Sequence, residues 1–238
     1  MAEYVSLTEE EIINYINSGT TPQSQTQTQN YAISELLKPG VYVDYDTESL
    51  GYSGGWQVLS NDGTKVELIS SDICKNVTLS GETGYKEAVK KLNAEAQSYL
   101  NTSYAISARS VGEGSLSTDT VMETLQHNPS DYLQLTDVEY YKDFSNMNYS
   151  GTLAASSGSE YWIASRRATN MVEGCAFDVR TIKWEILSLS DLFFTYASGR
   201  SNTYSDVYGL RCVVTLKDDL KITGGSGLEG DGYILDVN

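Results

Sequence analysis

The chain has 238 residues, 40% of them hydrophobic, which suffices for one large domain with a real core. Its 32 acidic and 16 basic residues leave a net charge of −16, which repels nucleic acid phosphates and anionic lipid surfaces. No stretch approaches about 18 apolar residues, and "MAEYVSLTEEEIINYINSG" lacks the basic start and apolar run of a secretory signal, so neither membrane insertion nor Sec export is expected.

From the N-terminus, Ser6 to Asn17 reads as a short helix. Thr8 can cap it with Glu11 three residues on, Ile12, Ile13 and Ile16 share a face, and Gly19 can end it. The next segment, "TTPQSQTQTQN" (Thr20 to Asn30), has no apolar residue and reads as a linker. Residues 1–19 thus suit attachment or oligomerisation, 20–30 a tether, and 31–238 a single folded domain.

In the body, "GVYVDYD" (Gly40 to Asp46), "WQVLS" (Trp56 to Ser60) and "KVELIS" (Lys65 to Ser70) are β-rich. The "NDG" at Asn61 to Gly63 predicts a hairpin between the last two. The period then changes: Tyr85, Ala88, Val89, Leu92, Ala96 and Tyr99 fall on one helical face, which predicts a helix through "GYKEAVKKLNAEAQSYLN". Asn101 to Gly158 reads as a long irregular connection with a short helix at Thr118 to Gln126. Strands return at "YWIASR" (Tyr161 to Arg166), "GCAFDVR" (Gly174 to Arg180), "KWEILSL" (Lys183 to Leu189), "GLRCVVTL" (Gly209 to Leu216) and the terminal "GYILDV". The fold class is α+β: a mostly antiparallel, loop-rich sheet with one or two helices.

These segments, in order, resemble a widespread group of Firmicutes and phage proteins whose C-terminal part is regarded as a C-type-lectin-like domain. The pair "WIASR … GLRCV" is similar to the ends of two relatives of that fold, the formylglycine-generating enzymes and the variable proteins diversified by retroelements. The resemblance spans Leu37 to Leu235 and implies a C-type-lectin-like domain that displays a ligand surface just before the Gly209 to Leu216 strand.

Catalytic signals are sparse. One histidine, His127, stands in a polar segment, and no HExxH or GxxxxGK[ST] motif is present. The three cysteines have no CxxC spacing, so neither a disulfide framework nor zinc is indicated. Cys175 and Cys212 alternate with apolar neighbours and read as buried, which argues against a sulfatase-modifying activity. No metal or other cofactor is implied.

Five of the six arginines lie between Arg166 and Arg211. Tyr161 to Cys212 carries +1, against −17 for all other residues. Arg211 reads as a fold-specific buried residue. The other cations are interleaved with Tyr, Ser, Asn and Gly, the composition of adaptable recognition surfaces. The candidate ligand-binding residues are Arg166, Arg167, Thr169, Asn170, Arg180, Lys183, Tyr196, Arg200, Asn202 and Tyr204, expected at a displayed surface of strand ends and loops.

The expectation is a non-enzymatic recognition or adhesion module on a phage virion or bacterial surface, in the manner of a retroelement variable protein. Its partner would be a protein or glycan on another cell. A structural decoration or fibre subunit, self-associating or held by its N-terminal helix, is the alternative; a sulfatase-modifying enzyme is the third.

Overall fold

The computed structural model describes residues 31–112, 134–136, 158–171, 173–183 and 186–236. The N-terminal helix and linker, the short helix at 118–126, His127 and Trp184 lie outside them. Among the described residues the strands assemble into two sheets with one long helix, consistent with the α+β expectation.

The first sheet draws on both ends of the described chain. Strand β1 (Tyr31–Ala32) leads into a short helix, α1 (Ile33–Leu36), then β2 (Tyr42–Asp44), β3 (Trp56–Asn61) and β4 (Val66–Ser70). The β3–β4 hairpin turns where "NDG" predicts it, and the Asp62 carboxylate accepts the backbone N–H groups of Thr64 and Lys65. Strand β5 (Lys75–Ser80) then opens the second sheet and runs into α2 (Gly81–Ala96), followed by a 3₁₀ turn at Gln97–Tyr99. The helix buries the face its periodicity predicts: Tyr85, Ala88, Leu92 and Ala96, with Tyr99 on the turn. Strand β6 (Ala105–Ser110) returns to the first sheet, which corrects the irregular connection expected there, and β7 (Gln134–Thr136) pairs in the second.

The long strands β8 (Tyr161–Met171), β9 (Gly174–Lys183) and β10 (Ile186–Tyr196) form an antiparallel meander with the short β11 (Ser201–Thr203). They are longer than the sequence suggests; β8 and β9 begin where it predicts, but Lys183 closes β9 rather than opening β10. Strand β12 (Ser205–Leu210) lies between β8 and β5, and β13 (Cys212–Leu216), β14 (Lys221–Gly224) and β15 (Tyr233–Asp236) complete the first sheet. The orders are β1-β14-β15-β2-β3-β4-β13-β6 and β11-β10-β9-β8-β12-β5; β12 with β8 and β15 with β2 are parallel pairs, the rest antiparallel.

A further correction concerns "GLRCVVTL". It is not one strand: Gly209 and Leu210 end β12 in the second sheet, and Cys212 begins β13 in the first. Arg211 occupies the break and is fully buried. The segment between β4 and β5 crosses between the sheets beside it. The Arg211 guanidinium donates through Nε and Nη2 to the Ser70 carbonyl, the Cys212 N–H donates to Ser70 Oγ, and the Cys74 N–H donates to the Leu210 carbonyl at 2.7 Å. The Arg211 guanidinium also lies 5.3 Å from the centre of the Tyr161 ring. Arg211 is thus the buried structural residue its sequence position suggests. Its partner is a backbone carbonyl, a group that must be satisfied wherever two chains leave their ladders together.

The main core packs α2 between the sheets. Tyr85 meets Phe177 edge-on at 5.3 Å, and Trp162 is clamped by Tyr208 at 4.7 Å while its Nε1–H donates to the Val77 carbonyl. A second cluster of Leu59, Ile69, Val111, Tyr161, Ile163, Ile182 and Val213 fills the opposite face of the first sheet. Gly209 sits where these layers meet. A Cβ there would stand 2.2 Å from Ile73 Cγ2 and 3.0 Å from the Glu160 carbonyl oxygen. Gly209→Ala therefore lowers stability by about 1–3 kcal/mol through overpacking, read as a reduced urea midpoint with unchanged slope.

Candidate functional site

The cation-rich segment from Arg166 to Asp206 is largely strand, and this redistributes the residues expected on display. Arg166 is buried on β8: its Nη1 donates to the Lys86 carbonyl at 3.1 Å, and its guanidinium lies 5.6 Å from the Tyr85 ring centre. Thr169 on β8 and Arg180 on β9 are also buried. The Asn170 backbone pairs with Cys175; its side chain lies outside the described residues. Lys183 places Nζ 4.6 Å from the Tyr208 ring centre. Arg166, Thr169 and Arg180 are therefore corrected from displayed to buried positions.

Arg167 is half-buried and committed elsewhere. Its Nε and Nη2 donate to Asp178 Oδ2 at 2.9 and 2.6 Å. Asp178 is fully buried at the centre of a row that runs across β8, β9 and β10, facing Arg167 on one side and Asp191 on the other. Burial, and the Asp191 carboxyl hydrogen-bonded to it, push Asp178 up to about 7 against the pull of Arg167.

Four candidates do stay at the surface, around the β10–β11 hairpin. Asn202 Nδ2 donates to the hydroxyls of Tyr196 at 3.0 Å and Tyr204 at 3.2 Å, and Arg200 occupies the turn.

A concave feature lies on the other sheet, where the sequence predicts no site. A cleft of about 610 Å³ is lined by Tyr42 to Tyr45, Tyr52 to Trp56, Ser71 and Asp72, the loop residues 229–232 and Ile234. Beneath it lies a buried aromatic cluster. Tyr45 and Tyr52 both meet Trp56 edge-on, at 4.9 and 5.7 Å, and Trp56 Nε1–H donates to Thr47 Oγ1. The Tyr45 hydroxyl donates to the Tyr99 carbonyl and accepts from the Asn101 N–H, while that of Tyr52 accepts from the Asp72 N–H. Burial pushes both phenols up to about 12, so they remain neutral donors throughout the physiological range.

Glycines open the cleft. A Cβ at Gly55 would lie 2.9 Å from Ser71 Oγ and 3.2 Å from the Tyr42 ring, and one at Gly232 would lie 2.9 Å from the Asp44 nitrogen. Gly225 takes φ +80° in the turn after β14, where a side chain would strike the Gly232 carbonyl. That turn folds back through the Ser226 and Gly227 N–H groups onto the Asp231 carbonyl.

The lining holds four carboxylates, Asp44, Asp72, Glu229 and Asp231, and no lysine or arginine. Asp44, Glu229 and Asp231 are exposed and Asp72 is half-buried. Such a rim rejects anions; it suits neutral hydroxyl-rich or cationic ligands. Its sequence signal was the recurrence of Gly, Tyr and acid in "DTESLGYSGGW" and "GGSGLEGDGY", two stretches that are far apart in the chain and meet only through the parallel β2–β15 pair.

Among the described residues no group of three or more His, Cys, Asp or Glu is placed to hold a metal ion, and no helix is long and apolar enough to cross a membrane. In comparisons with protein-family models, curated proteins and solved structures, the chain matches none.

Proposed function

We propose that the protein is a non-enzymatic recognition module, of the C-type-lectin-like kind its motifs resemble, which binds a neutral glycan on another cell surface in the Tyr42–Asp72–Asp231 cleft. The observation that carries the reading is the combination of the half-buried Tyr42, set over a buried aromatic cluster, with a rim of carboxylates and bare backbone. The Tyr42 ring offers aromatic surface to the apolar face of a sugar ring, and acceptors without counter-cations take its hydroxyl protons. Display on a virion or bacterial surface, and kinship with retroelement-diversified proteins, rest on the sequence resemblance.

The hairpin patch supports a second reading, in which Tyr196, Asn202 and Tyr204 contact a protein ligand. The two separate in one experiment: a glycan-array and cell-binding screen of the protein, a Tyr42→Ala/Asp44→Ala variant, and a Tyr196→Ala/Asn202→Ala/Tyr204→Ala variant. The cleft reading expects glycan binding that weakens at least about tenfold in the first variant and persists in the second, the equivalent of losing one or two good contacts. The reverse pattern moves recognition to the hairpin. Binding by none of the three, with self-association on a sizing column, makes the protein a structural subunit.

A further inference from the structure

The two crossovers between the sheets bring together two cysteines that are distant in sequence. Cys74 ends the crossing from β4 to β5, and Cys212 begins β13 just after the crossing from β12. The crossings are tied at three points already described: Arg211 to the Ser70 carbonyl, the Cys212 N–H to Ser70 Oγ, and the Cys74 N–H to the Leu210 carbonyl. The Tyr99 hydroxyl holds the Cys74 carbonyl from the other side at 3.2 Å. In this frame the Cys74 and Cys212 thiols lie near enough to perturb each other's ionisation. We propose that Cys74 and Cys212 form a redox-closable dithiol, a disulfide site that staples the two sheets together at their shared crossover.

The two thiols are unequal in the way stepwise exchange requires. Cys74 is partly exposed and Cys212 fully buried. The neighbouring Cys212, together with Ser70 and the nearby Arg211 guanidinium, holds the Cys74 thiol below its ordinary range despite burial. Burial pushes Cys212 well above it. Cys74 is therefore the attacking sulfur and Cys212 the resolving one. With a low-molecular-weight disulfide as oxidant, the Cys74 thiolate attacks one sulfur, forming a mixed disulfide and expelling one small thiolate, which takes up the proton Cys74 gave up. Cys212 then gives up its proton and attacks Cys74 Sγ, expelling the second small thiol. Two protein thiols are oxidised and one small disulfide is reduced to two thiols. Cys175 stands apart on β9, where burial raises it and Thr195 is its hydrogen-bond partner.

The test uses the unmodified, folded chain. It is incubated with oxidised glutathione, quenched by alkylation without unfolding, and mapped by mass spectrometry. The expected product is a monomer that has lost two hydrogen atoms, with the peptides of Cys74 and Cys212 cross-linked, Cys175 reduced, and a melting temperature raised by several degrees over the dithiothreitol-treated sample because a long loop is closed. A Cys212→Ser variant is expected to stop at a stable glutathione adduct on Cys74. Persistent adduct on Cys74 of the unmodified chain, a cross-link involving Cys175, or two thiols still free after prolonged incubation overturns the assignment.

Discussion

Arg211→Ala lowers the unfolding free energy by about 3–5 kcal/mol, enough to leave a domain of ordinary stability marginal at 37 °C. The loss has two sources. The Ser70 carbonyl is left without its guanidinium donors in a site closed to water, and a side chain with no exposed surface leaves a void against Tyr161. Arg211→Lys separates them. It keeps the charge and most of the volume but cannot direct two N–H groups from one plane onto one oxygen, so it recovers only part of the loss. Urea unfolding of the three proteins checks this, with the order unmodified, Lys, Ala. A Lys variant as stable as the parent removes the geometric argument, and an Ala variant within about 0.5 kcal/mol of the parent removes the structural role altogether.

The second large effect is a dependence of stability on pH. Asp178 is raised to about 7 in the folded protein by burial and by Asp191, from an unfolded value near 4. A carboxyl raised on folding contributes stability that is complete at low pH and disappears as pH rises through its folded value. The protein therefore loses stability between about pH 4 and pH 7, at up to about 1.4 kcal/mol per pH unit while one proton is retained by the fold. Above pH 7 the buried carboxylate is held by Arg167, which donates to it through Nε and Nη2. Asp178→Asn keeps a hydrogen-bonding group of the same size and cannot ionise. Melting temperatures from pH 5 to pH 8 fall for the parent and flatten for the variant. Parallel curves for the two would show that other groups set the slope.

Where the sequence was readable, the reason was periodicity. The α2 face of Tyr85, Ala88, Leu92 and Ala96 is set by a 3.6-residue repeat that needs no knowledge of its partner, and the "NDG" turn is set by local backbone preference. The reading failed where charge was taken for exposure. Arg166 and Arg180 lie within strands whose neighbours cover them, and the irregular pairing between Trp162 and Arg166 shifts the alternation so that no two-residue repeat announces which side faces in. The same blindness hid the ends of β8, β9 and β10, where Thr, Asn and Arg continue strands that composition alone would stop.

The cleft and the dithiol were out of reach for a different reason. Tyr42 and Asp231, or Cys74 and Cys212, are each unremarkable in their own stretch and become neighbours only because β15 lies parallel to β2 and because two crossovers run side by side at Arg211. Amino-acid order alone dictated the acidic balance, the helix, the hairpin and the mixed α+β character, since each depends on local composition or spacing. Which cations are paired, where the concave surface opens and which sulfurs meet were decided by non-local strand pairing, whose energy comes from contacts between residues that the linear chain keeps apart.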